Sequence, residues 1–442
     1  MQHAAFDRHE IEAVIERVRH RMGDGGAPPP KPEPVSSKPG HGIYANVDDA
    51  VGAARQAFET TRGMGLKMRH RLIDAVRATM RGRAREMAEM AHRETGLGRA
   101  EDKVLKNRLV IEKTPGPEDL EPHVWSGDQG LTITEFAPFG VIGAITPTTN
   151  PTATIINNTI AAVSAGNAVA FNAHPNANAV SAQTIRWLNE AMVAAGGPPD
   201  LVTAVSEPTI ESAQQLMNHP KVRILMITGG PGVVEEARKT RKRAILAGPG
   251  NPPAVVDETA DLELAGREIV RGGSFDNNLI CTDEKLVIAV DAIADRLLKA
   301  YELKKLERVI FNEMGPGGRP GKINPKWIGQ NAGRILAEIG GPSDDEIRLA
   351  VADVPADHPL VWTEQMMPVM PEVRVRDVDR AIELAVQAEH GCGHTASISS
   401  RDVNAITRMA REIDVSIFVA NAANLAGLAD GGEGYTSFSI AS

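Results

Sequence analysis

Between residues 141 and 246, short runs of Val, Ile and Ala alternate with longer helical stretches. This alternation constrains the fold more than any other feature. Residues 141–146, 168–172, 201–205, 224–227 and 243–246 read as strands, and 152–165, 177–194 and 233–239 as the helices between them. Strands that are apolar at nearly every position are covered on both faces, and helical crossovers join them into an open parallel sheet. A second block follows Asn251-Pro252-Pro253, with strands over 285–290, 369–375, 395–398 and 415–419. Its helices fall over 262–271, 292–300, 378–389 and 403–412. Helices over 47–62 and 68–94 precede the first sheet, the second stopped by Gly96, and 131–136 reads as one more strand. The chain is therefore expected to be α/β, with two open α/β domains joined near residue 250 and a cleft between them. Ligands of such sheets bind in clefts of this kind.

Composition excludes several functions. Lys and Arg number 48 against 57 Asp and Glu, a net charge of −9, so no basic face is expected and no nucleic-acid partner. No apolar run reaches the roughly 18–20 residues that span a bilayer, so no membrane partner is expected either. The N-terminus lacks the apolar core of a secretory signal, which points to a cytoplasmic protein. Cys281 and Cys392 stand far apart and cannot make a disulfide framework, so a thiol role here would be chemical.

The first residues stand apart. Ile11, Val14, Ile15, Val18 and Met22 follow at helical spacing after Asp7 and Glu10, which resemble a helix cap. Residues 23–42, rich in Gly and Pro, read as a linker. An amphipathic helix on a leash has no core of its own. It either folds back on its own body or docks into a partner's groove.

Candidate chemistry gathers at a few places. Cys281, just ahead of a strand, is a candidate nucleophile toward a carbonyl carbon; a small buried hydrophobe is the plainer reading. His390, Cys392 and His394 alternate, and on a strand would share one face. No metal is expected there, because no further ligand pair completes a tetrahedral site. His394 reads as a proton shuttle or a satisfied core histidine. Asn150 ends a strand and opens a helix, where its amide suits either an oxyanion donor or a helix cap. Thr228-Gly229-Gly230 lies between a strand and a helix, where a glycine turn brings a pyrophosphate to a helix N-terminus. The run from Gly315 to Lys322 imitates a phosphate loop, but Ile323 stands in the place of the Ser or Thr that would hold magnesium; it reads as a surface turn.

Taken together, the stretches Phe139 to Pro151, Ser164 to Val169, Ser274 to Asn278 ahead of Cys281, Glu364 to Val369 and Gly393-His394-Thr395 resemble the aldehyde dehydrogenase superfamily. Within it they resemble the CoA-acylating propionaldehyde dehydrogenases of propanediol-utilisation microcompartments. The resemblance implies an NAD-binding domain over 43–250, a catalytic domain over 251–425 and a strand region at 128–138 used in pairing of a dimer or tetramer. It implies Cys281 as nucleophile, Asn150 with the Cys281 backbone N–H as oxyanion donors, and His394 in proton transfer. It places Thr146, Pro147, Thr148, His174, Pro175, Thr228, Gly229 and Gly230 against the adenosine and phosphates of NAD, and Glu364 on the nicotinamide ribose.

Hydrolysing members carry a Glu-Leu-Gly-Gly-Lys stretch whose glutamate activates water. Here Leu246 to Pro253 offers no carboxylate, so coenzyme A rather than water is expected to take the acyl group of a short aldehyde. Family members inside microcompartments carry similar N-terminal peptides, which implies that residues 7–22 dock a shell protein. The family's usual chain also continues past the segment 426–442 into a last strand. The alternatives are a hydrolysing dehydrogenase and a non-catalytic cargo or scaffold protein.

Overall fold

A computed structural model of the chain describes residues 41–297, 309–311 and 322–441. The expected N-terminal helix, nearly all of the linker and the loop 315–321 lie outside the described residues.

The chain enters as β1 (Ile43–Tyr44) and continues through helices α1 (Val47–Thr61), α2 (Leu66–Thr95) and α3 (Ala100–Lys113). Asn46 caps α1 by accepting the Asp49 amide. Gly96 ends α2 at φ 68°, the left-handed conformation a glycine adopts without strain. The hairpin β2–β3 (His123–Gly127 and Gly130–Thr134) follows. Then come β4 (Val141–Ile145), α4 (Pro151–Ser164), β5 (Ala168–Asn172), α5 (Asn178–Ala194), β6 (Val202–Val205), α6 (Ile210–Asn218), β7 (Val222–Thr228), α7 (Pro231–Lys239) and β8 (Arg243–Ala247). These strands form a parallel sheet in the order β1-β6-β5-β4-β7-β8. β4 and β5 are buried at every position, as their unbroken apolar runs require.

The second half adds β9 (Pro253–Val256), α8 (Leu262–Gly273), β10 (Leu286–Val290), α9 (Asp291–Leu297), α10 (Ala332–Ala337), β11 (Ala350–Asp353), β12 (Val369–Val375), α11 (Val378–Ala388), β13 (Thr395–Ser399), α12 (Val403–Glu412) and β14 (Ile417–Ala420). They build a second parallel sheet in the order β11-β12-β10-β9-β13-β14. β8 ends at Ala247 and β9 begins at Pro253, so the short passage between them ties the carboxyl end of the first sheet to the amino end of the second.

Three readings change. Helix α3 has no counterpart in the sequence reading, because Asp102, Lys103, Lys106 and Asn107 are buried in it beside Val104, Val110 and Ile111 and interrupt its apolar pattern. The strand region expected at 128–138 is a hairpin that starts earlier and ends at Thr134, its residues all exposed. His390, Cys392 and His394 do not share a strand face. His390, Gly391 and Gly393 take left-handed φ values and form a turn, and β13 begins only at Thr395. Among the described residues no helix is long and apolar enough to cross a membrane.

Candidate active site

The first sheet reverses direction at β4. From there the chain builds β5 and β6 to one side and β7 and β8 to the other, which opens a crevice at the carboxyl ends of β4 and β7. Thr146, Pro147 and Thr148 follow β4, His174 and Pro175 follow β5, and Thr228, Gly229 and Gly230 close β7. The buried hydroxyls of Thr146 and Thr148 find no hydrogen-bond partner among the described residues. Gly230 opens α7 without a side-chain cap, which leaves first-turn amides to face an anion. His174 Nδ1 accepts the Asn176 amide at 3.1 Å, so its proton sits on Nε2; burial holds the ring below its ordinary pKa. Unpartnered donors beside small glycines fit the ribose and phosphates of a dinucleotide. Thr228 differs, since its hydroxyl shares a 2.9 Å hydrogen bond with Ser439.

The second sheet turns its amino ends to the same place. Cys281 lies ahead of β10, Gly250 ahead of β9, Glu364 ahead of β12 and His394 ahead of β13. Gly250 shows how closely they meet. A Cβ on it would fall 2.7 Å from His394 Cγ and 3.1 Å from the Cys281 carbonyl oxygen. Its amide also donates to Glu364. His394 is fully buried, with Nδ1 2.9 Å from Thr395 Oγ1 and Nε2 without a partner among the described residues.

The loop that carries Cys281 is bound from several sides. Asp276, Asn277 and Asn278 take φ values of 45°, 59° and 62°, a left-handed run that Asp and Asn tolerate best after glycine. Asn277 Nδ2 donates to Gly329 O and Asn331 Oδ1, and Asn278 Nδ2 to Gly273 O and Glu284 O. Lys285, wholly buried, donates from Nζ to Asn278 O at 2.9 Å, Asn278 Oδ1 at 2.7 Å and Ile280 O at 2.9 Å. Asp283 accepts the Ile280 amide at 3.0 Å.

Asn150 stands at the start of α4, but its side chain does not cap the helix. Its Oδ1 accepts Lys106 Nζ at 2.5 Å, and its Nδ2 donates to Thr149 Oγ1 at 3.2 Å, which leaves the second amide hydrogen. Lys106 Nζ also pairs with Asp276, and Lys103 Nζ joins the same carboxylate at 2.9 Å. This buried pairing connects Asn150 to the Cys281 loop across the two sheets.

Charge and burial set the resting state. Burial first, then the Glu364 and Asp283 carboxylates, push the Cys281 thiol up to about 12, with Lys285 pulling the other way. Burial raises Glu364 to about 7 against the pull of Lys285 and the Gly250 amide. Burial, with a lesser push from Lys285, lowers His394 to about 4, so its imidazole is neutral near pH 7. Burial alone would raise Asp276, but Lys103 and Lys106 hold it below its ordinary value. A free, partly exposed cysteine on a loop tied to Asn150 through Lys106 and Asp276, with a neutral imidazole packed at the same glycine, can add to a carbonyl carbon.

Comparison with known proteins agrees with this geometry. The aldehyde dehydrogenase family pattern matches residues 30–314 and 349–438. The chain belongs to the aldehyde dehydrogenase family. It is 46% identical to the acetaldehyde dehydrogenase (acetylating) EutE of Salmonella typhimurium, over 98% of this chain and 94% of that protein. It superposes on the Rhodopseudomonas palustris propionaldehyde dehydrogenase, solved with bound CoA and an acylated cysteine, with a TM-score of 0.86. That pair is 45% identical over 91% of this chain and 93% of the other. A propionaldehyde dehydrogenase from the Clostridium phytofermentans fucose utilisation bacterial microcompartment gives a TM-score of 0.87 at 42% identity, over 90% and 93% of the two chains. The aldehyde dehydrogenase fold expected from the motifs is therefore the fold of this chain.

Lys103, Lys106, Asp276 and Lys285 escaped the sequence reading of this dehydrogenase. One signal was available. Asp283-Glu284-Lys285 opens directly into the apolar run of β10, and all three are buried. Three consecutive ionisable residues inside a core are costly unless they are paired, which marks them as structural parts of a site.

Proposed function

We propose that this chain oxidises a short aliphatic aldehyde and delivers the acyl group to coenzyme A. Cys281 Sγ, as thiolate, adds to the aldehyde carbon to form a thiohemiacetal. Its oxyanion is met by Asn150 Nδ2 and the Cys281 backbone N–H. A bound nicotinamide nucleotide supplies the hydride acceptor for this chemistry. Thr146, Pro147, Thr148, His174, Pro175, Thr228 and the Gly229-Gly230 turn would hold its adenosine and phosphates, and Glu364 its ribose. After oxidation the acyl group is a thioester on Cys281. The CoA thiolate attacks that carbonyl, the C–S bond to Cys281 breaks, and acyl-CoA leaves. The neutral His394 is placed to take the proton of an incoming thiol.

The observation that carries this reading is Gly250. The passage from Gly248 to Pro252 holds no carboxylate, and the space a side chain would occupy at Gly250 is filled by the His394 ring and the Cys281 carbonyl. Water therefore lacks a general base from this passage, help typically worth about 10²–10⁴ in rate. A thiol ionises far more readily than water and needs less help. Similarity to acetaldehyde and propionaldehyde dehydrogenases supports a substrate of two or three carbons. The test is nucleotide reduction by propionaldehyde, with and without CoA, in the native chain and in Cys281→Ala. CoA-dependent reduction that vanishes in the variant is expected; equal rates without CoA would mean hydrolysis.

The same proposal divides the chain into a nucleotide domain over 43–250 and a catalytic domain over 251–425. It also extends to assembly. Val124, Trp125, Leu131 and Ile133 on the hairpin are each more than half exposed, and a bare two-stranded ribbon is marginal in water, which supports pairing of copies through it. Similarity to an enzyme of a microcompartment supports shell docking by residues 7–22. Deleting residues 1–22 should leave turnover intact and abolish association with shell protein; lost turnover would count against docking.

A further inference from the structure

We propose that Lys106 and Lys285 orient the two oxyanion donors from behind, each by gripping the oxygen of the amide whose N–H must face the substrate. The inference rests on the acyl-transfer reading above and adds positioning residues to it. Lys106 Nζ takes Asn150 Oδ1 at 2.5 Å. A primary amide can be built either way round, and an ammonium, which only donates, admits the oxygen and refuses the nitrogen. Nδ2 is thereby turned away from Lys106.

Lys285 acts on a backbone amide in the same way. Its Nζ takes Ile280 O at 2.9 Å, and the peptide joining Ile280 to Cys281 is trans. In a trans peptide the C=O and N–H point in opposite directions. Fixing Ile280 O on Lys285 therefore sends the Cys281 N–H the other way, where it lies against its own thiol. The two further bonds of Lys285 to Asn278 hold the loop so that this peptide cannot turn over.

Both ammonium groups are buried, at 2% and 0% exposure; Lys106 donates to the Asn150 amide oxygen and the Asp276 carboxylate, and Lys285 donates all three hydrogens to amide oxygens. Neither touches the thiol in these contacts. They are positioning residues, and they are joined to the nucleophile loop at its two ends, Lys106 through Asp276 and Lys285 through Asn278 and Ile280.

The test is isotope-edited infrared spectroscopy of the thioester formed when the full chain is incubated with propionyl-CoA carrying ¹³C at its carbonyl. A carbonyl held by two N–H donors absorbs at lower wavenumber than a free thioester. Lys106→Met and Lys285→Met are each expected to move the band toward the free value. Each should lower kcat about 10- to 100-fold, below or near the loss on removing a donor outright, with the KM for the nucleotide changed less than about twofold. In an Asn150→Ala background Lys106→Met should add less than about twofold, because the amide it serves is gone, whereas Lys285→Met should still take its toll. Lys285→Gln, which keeps an N–H donor without the charge, serves where Lys285→Met does not fold. A band that stays put in the lysine variants, or losses from Lys106 and Asn150 that simply multiply, would overturn the inference alone. Absence of any thioester band in the native chain would overturn the acyl-transfer reading and this inference with it.

Discussion

The two sheets turn opposite ends toward one cleft, and they furnish it with different materials. At the carboxyl ends of the first sheet the site consists of threonine hydroxyls, glycines and the amides that open α4 and α7. At the amino ends of the second it consists of ionisable groups, with Lys285, Asp283 and His394 buried, Glu364 partly so, and Asp276 close behind. The polarity of a parallel sheet explains the contrast. A strand's carboxyl end leads into a helix N-terminus, whose free amides already favour phosphate. A strand's amino end is reached from a helix C-terminus, where carbonyls are left over, so positive charge has to come from side chains. Lys285 supplies it, bonded to the loop carbonyls of Asn278 and Ile280 and to the Asn278 side-chain oxygen. The nucleotide side needs room and donors; the chemical side needs charge held rigidly.

Substitutions on the two sides should therefore behave differently. Asn150→Ala, which removes the donor that bridges them, should lower kcat about 10²–10³-fold while the KM for the nucleotide stays near native. A rise in KM of the same size would place Asn150 on the nucleotide side instead. Gly250→Ala tests the crowding of the chemical side, since its methyl would meet the His394 ring at 2.7 Å. Overpacking of this kind costs about 1–3 kcal/mol, seen as a Tm lower by a few degrees, with CoA-dependent turnover reduced about tenfold. An unchanged Tm would show that the His394 ring yields freely.

Glu364→Gln separates charge from shape. The Glu364 carboxylate is one of the groups that raise the Cys281 thiol, so its removal lowers the thiol pKa and raises the thiolate fraction at pH 8. Alkylation of Cys281 by iodoacetamide should speed up about three- to tenfold in the variant, even as nucleotide binding weakens. Slower alkylation would reverse the assigned sign. Thr228→Val should do least. Its hydroxyl is already shared with Ser439, so the KM for the nucleotide should change by less than about threefold. A tenfold rise would mean that the hydroxyl leaves Ser439 to serve the nucleotide.

Legibility followed the same division. Most strands and helices of the first sheet were readable within about two residues, because they are apolar or amphipathic runs between breakers; the two-residue β1 and helix α6 had no counterpart in the sequence reading. After β7 the Thr228-Gly229-Gly230 turn stood out by its glycines, whereas Thr146, Pro147, Thr148, His174 and Pro175, after β4 and β5, were proposed only through the resemblance. On the chemical side Cys281 and His394 stood out by residue type with two readings each, which the resemblance decided between, and Glu364 was found only through the resemblance. Helix α3 was missed because its buried face mixes Asp102, Lys103 and Lys106 with its apolar residues. The cap reading of Asn150 failed because a lysine from that helix claims the oxygen a cap would have used.

Apolar patterning along the chain dictates the alternation of strand and helix, and with it two covered parallel sheets. Hydrophobic patterning is local information, spread over each element and repeated in the next. Tertiary structure alone decided which way two amides face and which charges stand beside the thiol. Lys106 and Asn150 are distant in the chain, and an ammonium between an amide oxygen and Asp276 exists only after α3 has packed against α2, α4 and the turn at 275–277. Burial then turns those few ordinary residues into fixed charges, because groups removed from water must find their partners in the protein.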